Sequence, residues 1–328
     1  MTAPLLRVEG LTVRLRSDRG PVAAVQDVSF ELQPGEVLGL VGESGSGKSV
    51  TALSLLRLIP DDAVESVVGQ VWFGGENLLR LPEPRLRQVR GREIGMIFQD
   101  PMTSLNPIAS IGWQLQEPLR LHLGLGRRAA VARAEALLDL VGIPQPRKRL
   151  AQFPHELSGG MRQRVVIAMA LACEPKLVIA DEATTALDVT TQAQILDLLR
   201  NLQARLGMAV IMITHDLGIV AEFADQVQVM YAGRVVERAP TGSLFEVPAH
   251  PYTQGLLRSI PSFDDGPGRL FGIEGTVPSP YDLPPGCSFA PRCALADTAC
   301  TAATPAFRPV AADRYVACVR PLLAGTPS

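Results

Sequence analysis

Weak alternation of apolar and polar residues opens the chain, and it predicts short strands. Leu6 to Leu15 alternates, and Val22 to Glu31 resumes after a turn at Asp18 to Pro21. A Pro34-Gly35 turn leads into the continuous apolar run Val37 to Val41, which reads as a fully buried strand bounded by glycines. Helical spacing follows from Lys48 to Ile59 and stops at Pro60. Residues 100–156 change character. Proline and asparagine punctuate Asp100 to Pro107, and Arg128 to Val141 predicts an amphipathic helix with Ala, Leu and Val on one face. Strand and helix then alternate again: buried strands at Leu177 to Asp181 and Ala209 to Thr214 flank a helix at Thr191 to Arg205. Val227 to Tyr231 and Arg234 to Glu237 predict a closing hairpin. Such alternation argues for a parallel sheet with covered faces. From about Ser259 helical periodicity is lost, and Pro, Gly, Asp and Cys predict a small irregular appendage.

Composition narrows the class. The chain has 328 residues, 47% of them hydrophobic, enough for a sizeable core. Its formal charge of −2 and pI near 6.1 do not support a large nucleic-acid footprint. No apolar run approaches the ~18 residues that span a bilayer, and the N-terminus shows no basic segment followed by an apolar core. The chain is therefore expected in the cytoplasm, with any membrane role exerted through a partner.

Three strings carry chemistry. Gly42-Glu43-Ser44-Gly45-Ser46-Gly47-Lys48-Ser49 fits the phosphate-loop pattern, with a buried strand before it and a helix after it. The glycines let backbone N–H groups face the phosphates, and the helix N-terminus adds partial positive charge. Lys48 would reach the β- and γ-phosphates, and Ser49 would bind Mg²⁺. A chance match to the pattern arises in roughly one chain of this length in a hundred, before its strand and helix context is counted. The apolar strand Leu177 to Asp181 then ends in two carboxylates. Asp181 suits Mg²⁺, and Glu182 is placed to accept a proton from attacking water. An acidic strand exit is the bland alternative, and the upstream loop weakens it. The third string, Leu157-Ser158-Gly159-Gly160-Met161-Arg162-Gln163, puts a serine cap and two glycines at a helix start running to about Ala172. That is another anion-binding arrangement. Alone it would read as an ordinary capped helix; beside a phosphate cradle it suits a nucleotide held by another subunit.

In this order the strings resemble the Walker A loop, signature and Walker B strand of ATP-binding cassette (ABC) transporter subunits, over about residues 5–258. Gln99 matches the Q-loop, Leu187-Asp188 the D-loop, and His215 in Ile213-Thr-His-Asp216 the switch histidine. The resemblance narrows to dipeptide/oligopeptide importer ATPases. Similar strings are Phe98 to Pro107, Thr184 to Thr190, His250-Pro-Tyr-Thr253, and the tail from Gly286-Cys287 through Pro291-Arg-Cys293.

The resemblance implies an α/β fold: a RecA-like phosphate-loop core with an antiparallel β subdomain and an α-helical signature subdomain at about 100–172. The nucleotide-binding domain would span 1–258 and a cysteine-containing extension 259–328. It further implies that Glu182 activates water, His215 senses the γ-phosphate, and Gln99 links Mg²⁺ to the membrane subunit. Leu157, Ser158, Gly159, Gly160 and Gln163 would face ATP bound to the opposite subunit, and Asp188 would lie at the seam. The implied partners are a second homologous ATPase, most simply in a heterodimer, two transmembrane permeases and an extracytoplasmic peptide-binding protein. The chain would then sit on the cytoplasmic face of the membrane. The family stacks adenine on an aromatic residue where this chain has Leu15, so adenine is expected on aliphatic surface or an arginine plane. Ala183 replaces the subfamily's usual proline. His122, His155 and His250 are expected to be packing or surface residues.

Four of the five cysteines, Cys287, Cys293, Cys300 and Cys318, crowd the tail with spacing C-x₅-C-x₆-C-x₁₇-C. Four thiolates suit tetrahedral zinc or a [4Fe–4S] cluster, and four reduced, packed cysteines are the third reading. Some relatives of the peptide-importer type carry such a cluster at this tail, and that resemblance favours iron–sulfur. Other functions remain in view. An importer for nickel, glutathione or another small solute would look the same, because no cargo touches this chain. A soluble cassette protein of DNA repair would carry a long coiled coil between the Walker motifs, and one of translation usually two cassettes. A plain phosphate-loop kinase or GTPase would lack the signature.

Overall fold

A computed structural model describes residues 3–183, 188–260 and 272–322. Its first elements are β1 (Leu6–Leu15), β2 (Val22–Leu32), β3 (Val37–Val41), α1 (Lys48–Leu55), β4 (Val64–Phe73), β5 (Glu76–Asn77), α2 (Glu83–Arg92) and β6 (Ile94–Ile97). Then come α3 (Pro101–Ser104), α4 (Ile111–Leu123), α5 (Arg127–Leu140), α6 (Pro146–Arg149), α7 (Gly159–Ala170), β7 (Leu177–Asp181), α8 (Val189–Leu206) and β8 (Ala209–Thr214). The chain closes with α9 (Leu217–Phe223), β9 (Gln226–Tyr231), β10 (Arg234–Pro240), α10 (Thr241–Glu246), α11 (Pro251–Arg258), α12 (Thr298–Ala302), β11 (Arg308–Ala311) and β12 (Arg314–Val316). Two compact units result. The first comprises 1–32, 37–79 and 213–328; the second comprises 33–36 and 80–212.

In the first unit, β2, β1, β4 and β5 form an antiparallel sheet in that order. Strand β4 has no clear alternation in the sequence. Val67 and Val68 are exposed, and Gly69 interrupts the run, so backbone pairing with β1 decides its state. Strand β3 is buried at all five positions and pairs in parallel with β9. Burial on both faces explains why it reads as a continuous apolar run. The expected helix from Lys48 to Ile59 ends early, at Leu55, because Arg57 turns left-handed (φ 51°) and Leu58 N–H bonds Leu53 O at 2.9 Å. That is a Schellman-type stop, and only the chain reversal sets it.

The tail is more regular than its composition suggests. Strand β12 pairs with β11 and with β10, Glu237 opposite Val316, and so extends the strand order β3-β9-β10 of this unit. Strands of three and four residues are too short to show a period. A core of Val227, Val229, Tyr231, Val236, Leu244, Tyr252 and Phe289 lies beneath, with Cys287 and Cys293 packed against it.

A polar lock stabilises this corner. Buried Glu237 accepts N–H bonds from Ala249 at 2.7 Å and His250 at 2.8 Å, and pairs with Arg314. His250 is fully buried; its Nδ1 accepts the Tyr252 N–H at 3.0 Å and caps α11. Burial pushes the His250 pKa down to about 3. The imidazole is therefore neutral in the fold but charged in the unfolded chain below its ordinary pKa of 6.5. Its contribution is present above pH 6.5 and is lost as pH falls toward 3, at most about 1.4 kcal/mol per unit. His250→Asn, whose Oδ1 can take the same cap bond, is expected to flatten this acid limb in denaturant titrations run between these two pH values. An unchanged slope would show that His250 does not set it.

In the second unit β8, β7 and β6 are neighbours in that order, with β6 parallel to β7. Helices α3 to α7 occupy most of the rest. Helix α5 starts and ends one residue before the expected Arg128 to Val141. Helix α4 gives a weaker sequence signal because Pro118 lies inside it and Gly112 near its start. Ile111, Leu115 and Leu119 nonetheless repeat every four residues and are fully buried, and Ser110 caps the helix through Trp113 N–H.

Candidate functional site

The loop between β3 and α1 needs its glycines. A Cβ on Gly42 would meet Met230 O at 2.3 Å, and one on Gly47 would meet Ala24 O at 2.6 Å. Both residues have positive φ, 151° and 101°. Buried Lys48 folds back over the loop, its Nζ donating to Gly42 O at 2.8 Å, Glu43 O at 3.0 Å and Ser46 Oγ at 3.4 Å. Ser46 is fully buried, while Ser44 and Gly45 are exposed at the rim. Ser49 lies in the first turn of α1. The result is an anion cradle with its ammonium in place.

In the second unit Asp181 is buried at the end of β7. Glu182 follows with φ 46°, a left-handed conformation that costs a non-glycine residue roughly 1–2 kcal/mol. Gln99, exposed after β6, donates its Nε2–H to Glu182 Oε2 at 2.7 Å. The structure thus joins two residues that lie far apart in sequence.

The signature string sits at the start of α7. Ser158 accepts the Met161 N–H at 3.3 Å, and Leu157 is buried just before it. Gly159 faces open space. A Cβ on Gly160 would meet Thr191 Cγ2 at 2.9 Å. That contact brings the signature beside the start of α8, which Asp188 caps by accepting from Thr191 N at 2.9 Å and Thr191 Oγ1 at 2.7 Å. These bonds hold the Asp188 carboxyl below its usual range. Gln163 is buried, one turn into α7. Gly160→Val is expected to push Thr191 and the start of α8 aside and to lower the melting temperature of the chain, readable by thermal unfolding beside the wild type.

His215, which directly follows β8, is exposed, and the following Asp216 caps α9. Leu15 is half-buried. Arg14 and Arg16 beside it are both exposed, and Arg16 donates to the carbonyls of Asp61 and Asp62. Thr184 to Leu187, including the first residue of the Leu187-Asp188 pair, lie outside the described residues.

In the tail all four cysteines are unpaired thiols. Burial first, and the neighbouring thiols second, raise the pKa of Cys318 to about 11, and burial also raises Cys287 and Cys293. Among the described residues, no group of three or more His, Cys, Asp or Glu could hold a metal ion. The expectation of a bound metal gains no support from this arrangement.

Two functional neighbours escaped the sequence. Tyr252 Oη accepts the Glu43 N–H at 2.9 Å, and Arg292 grips the Glu43 carboxylate. Both lie in strings that resemble the importer ATPases, but a separation of more than two hundred residues hides the contact.

A buried strand, a glycine loop, a helix and a carboxylate-ended second strand define a phosphate-loop nucleotide-binding protein. The ABC transporter family model matches residues 25–185, and the model for the oligopeptide/dipeptide transporter C-terminal region matches 236–300. A Brucella abortus protein, named provisionally as a peptide import ATP-binding protein, is 57% identical over 93% of this chain and 91% of its own. A second protein of that organism and name is 50% identical over 97% of each. Among solved structures, a dimeric ATP-binding cassette, MJ0796, in a post-hydrolysis state with ADP and Pi matches with TM-score 0.64 at 26% identity, over 72% of this chain and 98% of its own. The cbiO1 protein of Clostridium perfringens, part of the ABC transporter complex cbiONQ, matches with TM-score 0.63 at 28% identity, over 75% and 92%. The chain belongs to the ABC transporter ATP-binding proteins, in the branch that carries the oligopeptide/dipeptide transporter C-terminal region.

Proposed function

We propose that this chain is the ATP-hydrolysing subunit that powers peptide import, with the Lys48-closed glycine loop as the observation that carries the reading. The N–H groups of Gly45 to Ser49 and the Lys48 ammonium hold the phosphates; Ser49, Asp181 and Gln99 would hold Mg²⁺. The metal, when bound, neutralises charge on the β- and γ-phosphate oxygens. Glu182 takes the proton of the attacking water, and His215 holds the γ-phosphate side of the site. Leu157 to Gly160 and Gln163 serve ATP carried by another subunit, because the chain has one loop and one signature. Asp188 lies at the seam of that assembly.

The partners in this reading are a second homologous ATPase, two permeases and an extracytoplasmic peptide-binding protein. No helix among the described residues is long and apolar enough to cross a membrane, which suits attachment to the cytoplasmic face through the permeases. The domains read as 1–258 for nucleotide and 259–328 for the tail. Proteoliposomes holding the full assembly are expected to take up labelled di- and oligopeptides only with ATP. ATP-driven uptake of nickel or glutathione without peptide uptake would replace the cargo; no ATP dependence would overturn the reading.

The finer part of the reading concerns Cys287, Cys293, Cys300 and Cys318. A single zinc ion with bonds of about 2.3 Å draws its thiolates close together, which the described side chains do not do. A [4Fe–4S] cluster spreads its four thiolates over separate irons, and the resemblance of the tail to that of the peptide-importer ATPases is what supports that choice. Iron and acid-labile sulfide in protein purified without oxygen would test it; absence of both leaves four reduced, packed cysteines.

A further inference from the structure

Glu43 is a node between the phosphate loop and the tail. Its carbonyl accepts from Lys48 Nζ at 3.0 Å, its N–H donates to Tyr252 Oη at 2.9 Å, and its carboxylate takes both arms of Arg292, at 2.7 and 3.0 Å. Arg292 is itself held on every side. Its Nε donates to Glu274 O at 2.9 Å and an Nη to Ile273 O at 3.1 Å. Its guanidinium centre lies 5.9 Å from the Tyr231 ring centroid. The side chain is 5% exposed, against 31% for Glu43. A forked, nearly buried pair of this kind is directional and strong, and removing one member leaves a buried charge uncompensated.

The fork's own mounting lies in the cysteine tail. Arg292 ends a short 3₁₀ turn, Ala290–Arg292, between Cys287 and Cys293. The Cys287 N–H bonds Cys300 O at 2.8 Å, and Ala290 N–H bonds Cys287 O at 3.0 Å. Phe289 packs against Tyr231 and Tyr252, each 5.3 Å away between centroids. The same aromatic group therefore carries both Tyr252 Oη and the ring beneath Arg292. The glycines leave the loop backbone soft, whereas this brace comes from outside and is rigid.

We propose that Arg292 is a positioning residue of the ATP site, fixing the phosphate loop through Glu43 so that nucleotide affinity depends on the cysteine tail. The inference rests on the ATP-binding reading above. An unbraced loop samples conformations in which its N–H groups do not converge, and affinity falls by the fraction that is competent.

The test is calorimetric titration of the full-length chain with Mg-ATP and a non-hydrolysable analogue. Arg292→Gln and Glu43→Gln are each expected to raise Kd about tenfold, equivalent to about 1.4 kcal/mol. The double variant should be no worse than either single one, because one interaction is lost once. Arg292→Lys should restore only part of the affinity, because an ammonium cannot fork. In the assembled importer KM should rise with kcat nearly unchanged. A merely structural role would lower the melting temperature of the nucleotide-free chain while Kd stayed at the wild-type value, and that result overturns the proposal. So would additive losses in the double variant. If Arg292→Gln does not fold, Glu43→Gln decides by the same criterion, since it leaves the bonds of Arg292 to Glu274, Ile273 and Tyr231 in place. Failure of wild type to bind ATP would overturn the ATP-site reading instead.

Discussion

Glu182→Gln is expected to leave ATP binding within a factor of two of wild type and to cut turnover by about 10²–10⁴-fold, the range for loss of a general base. Glutamine preserves the shape of the side chain, and its Oε1 can still accept the Gln99 amide that now donates to Glu182 at 2.7 Å. The left-handed backbone at position 182 (φ 46°) is equally tolerable to both residues. What is lost is the capacity to take a proton. ATP would then persist on the protein, and subunits paired through it should accumulate. Phosphate release by the assembled importer is the direct readout, with ATP affinity measured in parallel. Turnover at the wild-type rate would remove Glu182 from the base role. Weakened binding with unchanged kcat would assign it to the nucleotide pocket instead.

Lys48→Ala is expected to act on the earlier step. The ammonium is buried and already satisfied by the Gly42 and Glu43 carbonyls and Ser46 Oγ, so it is held in place before any nucleotide arrives. Deleting it removes a charge-assisted contact to phosphate and the tie across the loop mouth together. Charged hydrogen bonds contribute about 1.5–3 kcal/mol each, so affinity should fall by about 10- to 150-fold. The fold should survive, since β3 and α1 keep their own apolar contacts through Leu38, Leu40, Ala52 and Leu55. Equilibrium binding of Mg-ATP, with a melting curve as control, checks it. ATP affinity equal to wild type would mean that the phosphates lie elsewhere.

These two variants separate nucleotide binding from proton abstraction. Lys48 ties the phosphate loop through the Gly42 and Glu43 carbonyls, whereas Glu182 accepts a hydrogen bond from Gln99.

The chain's own order of residues determined a good deal. Continuous apolar runs at Val37 to Val41, Leu177 to Asp181 and Ala209 to Thr214 are strands buried on every residue, and their bounds agree with the structure. Local physics suffices there, because a five- or six-residue apolar run between turn residues has few alternatives. The phosphate loop was legible for the same reason: its function lies in consecutive backbone groups. Tertiary structure decided the rest. Strand β4 exists because β1 offers it partners, and β12 exists because it finds the edge of β10. The bond from Gln99 to Glu182 and the fork from Arg292 to Glu43 join residues whose separation in sequence carries no trace of their contact. A local pattern can specify a backbone cradle, but only the folded chain can bring distant side chains to its rim, so the brace on the phosphate loop was visible in three dimensions alone.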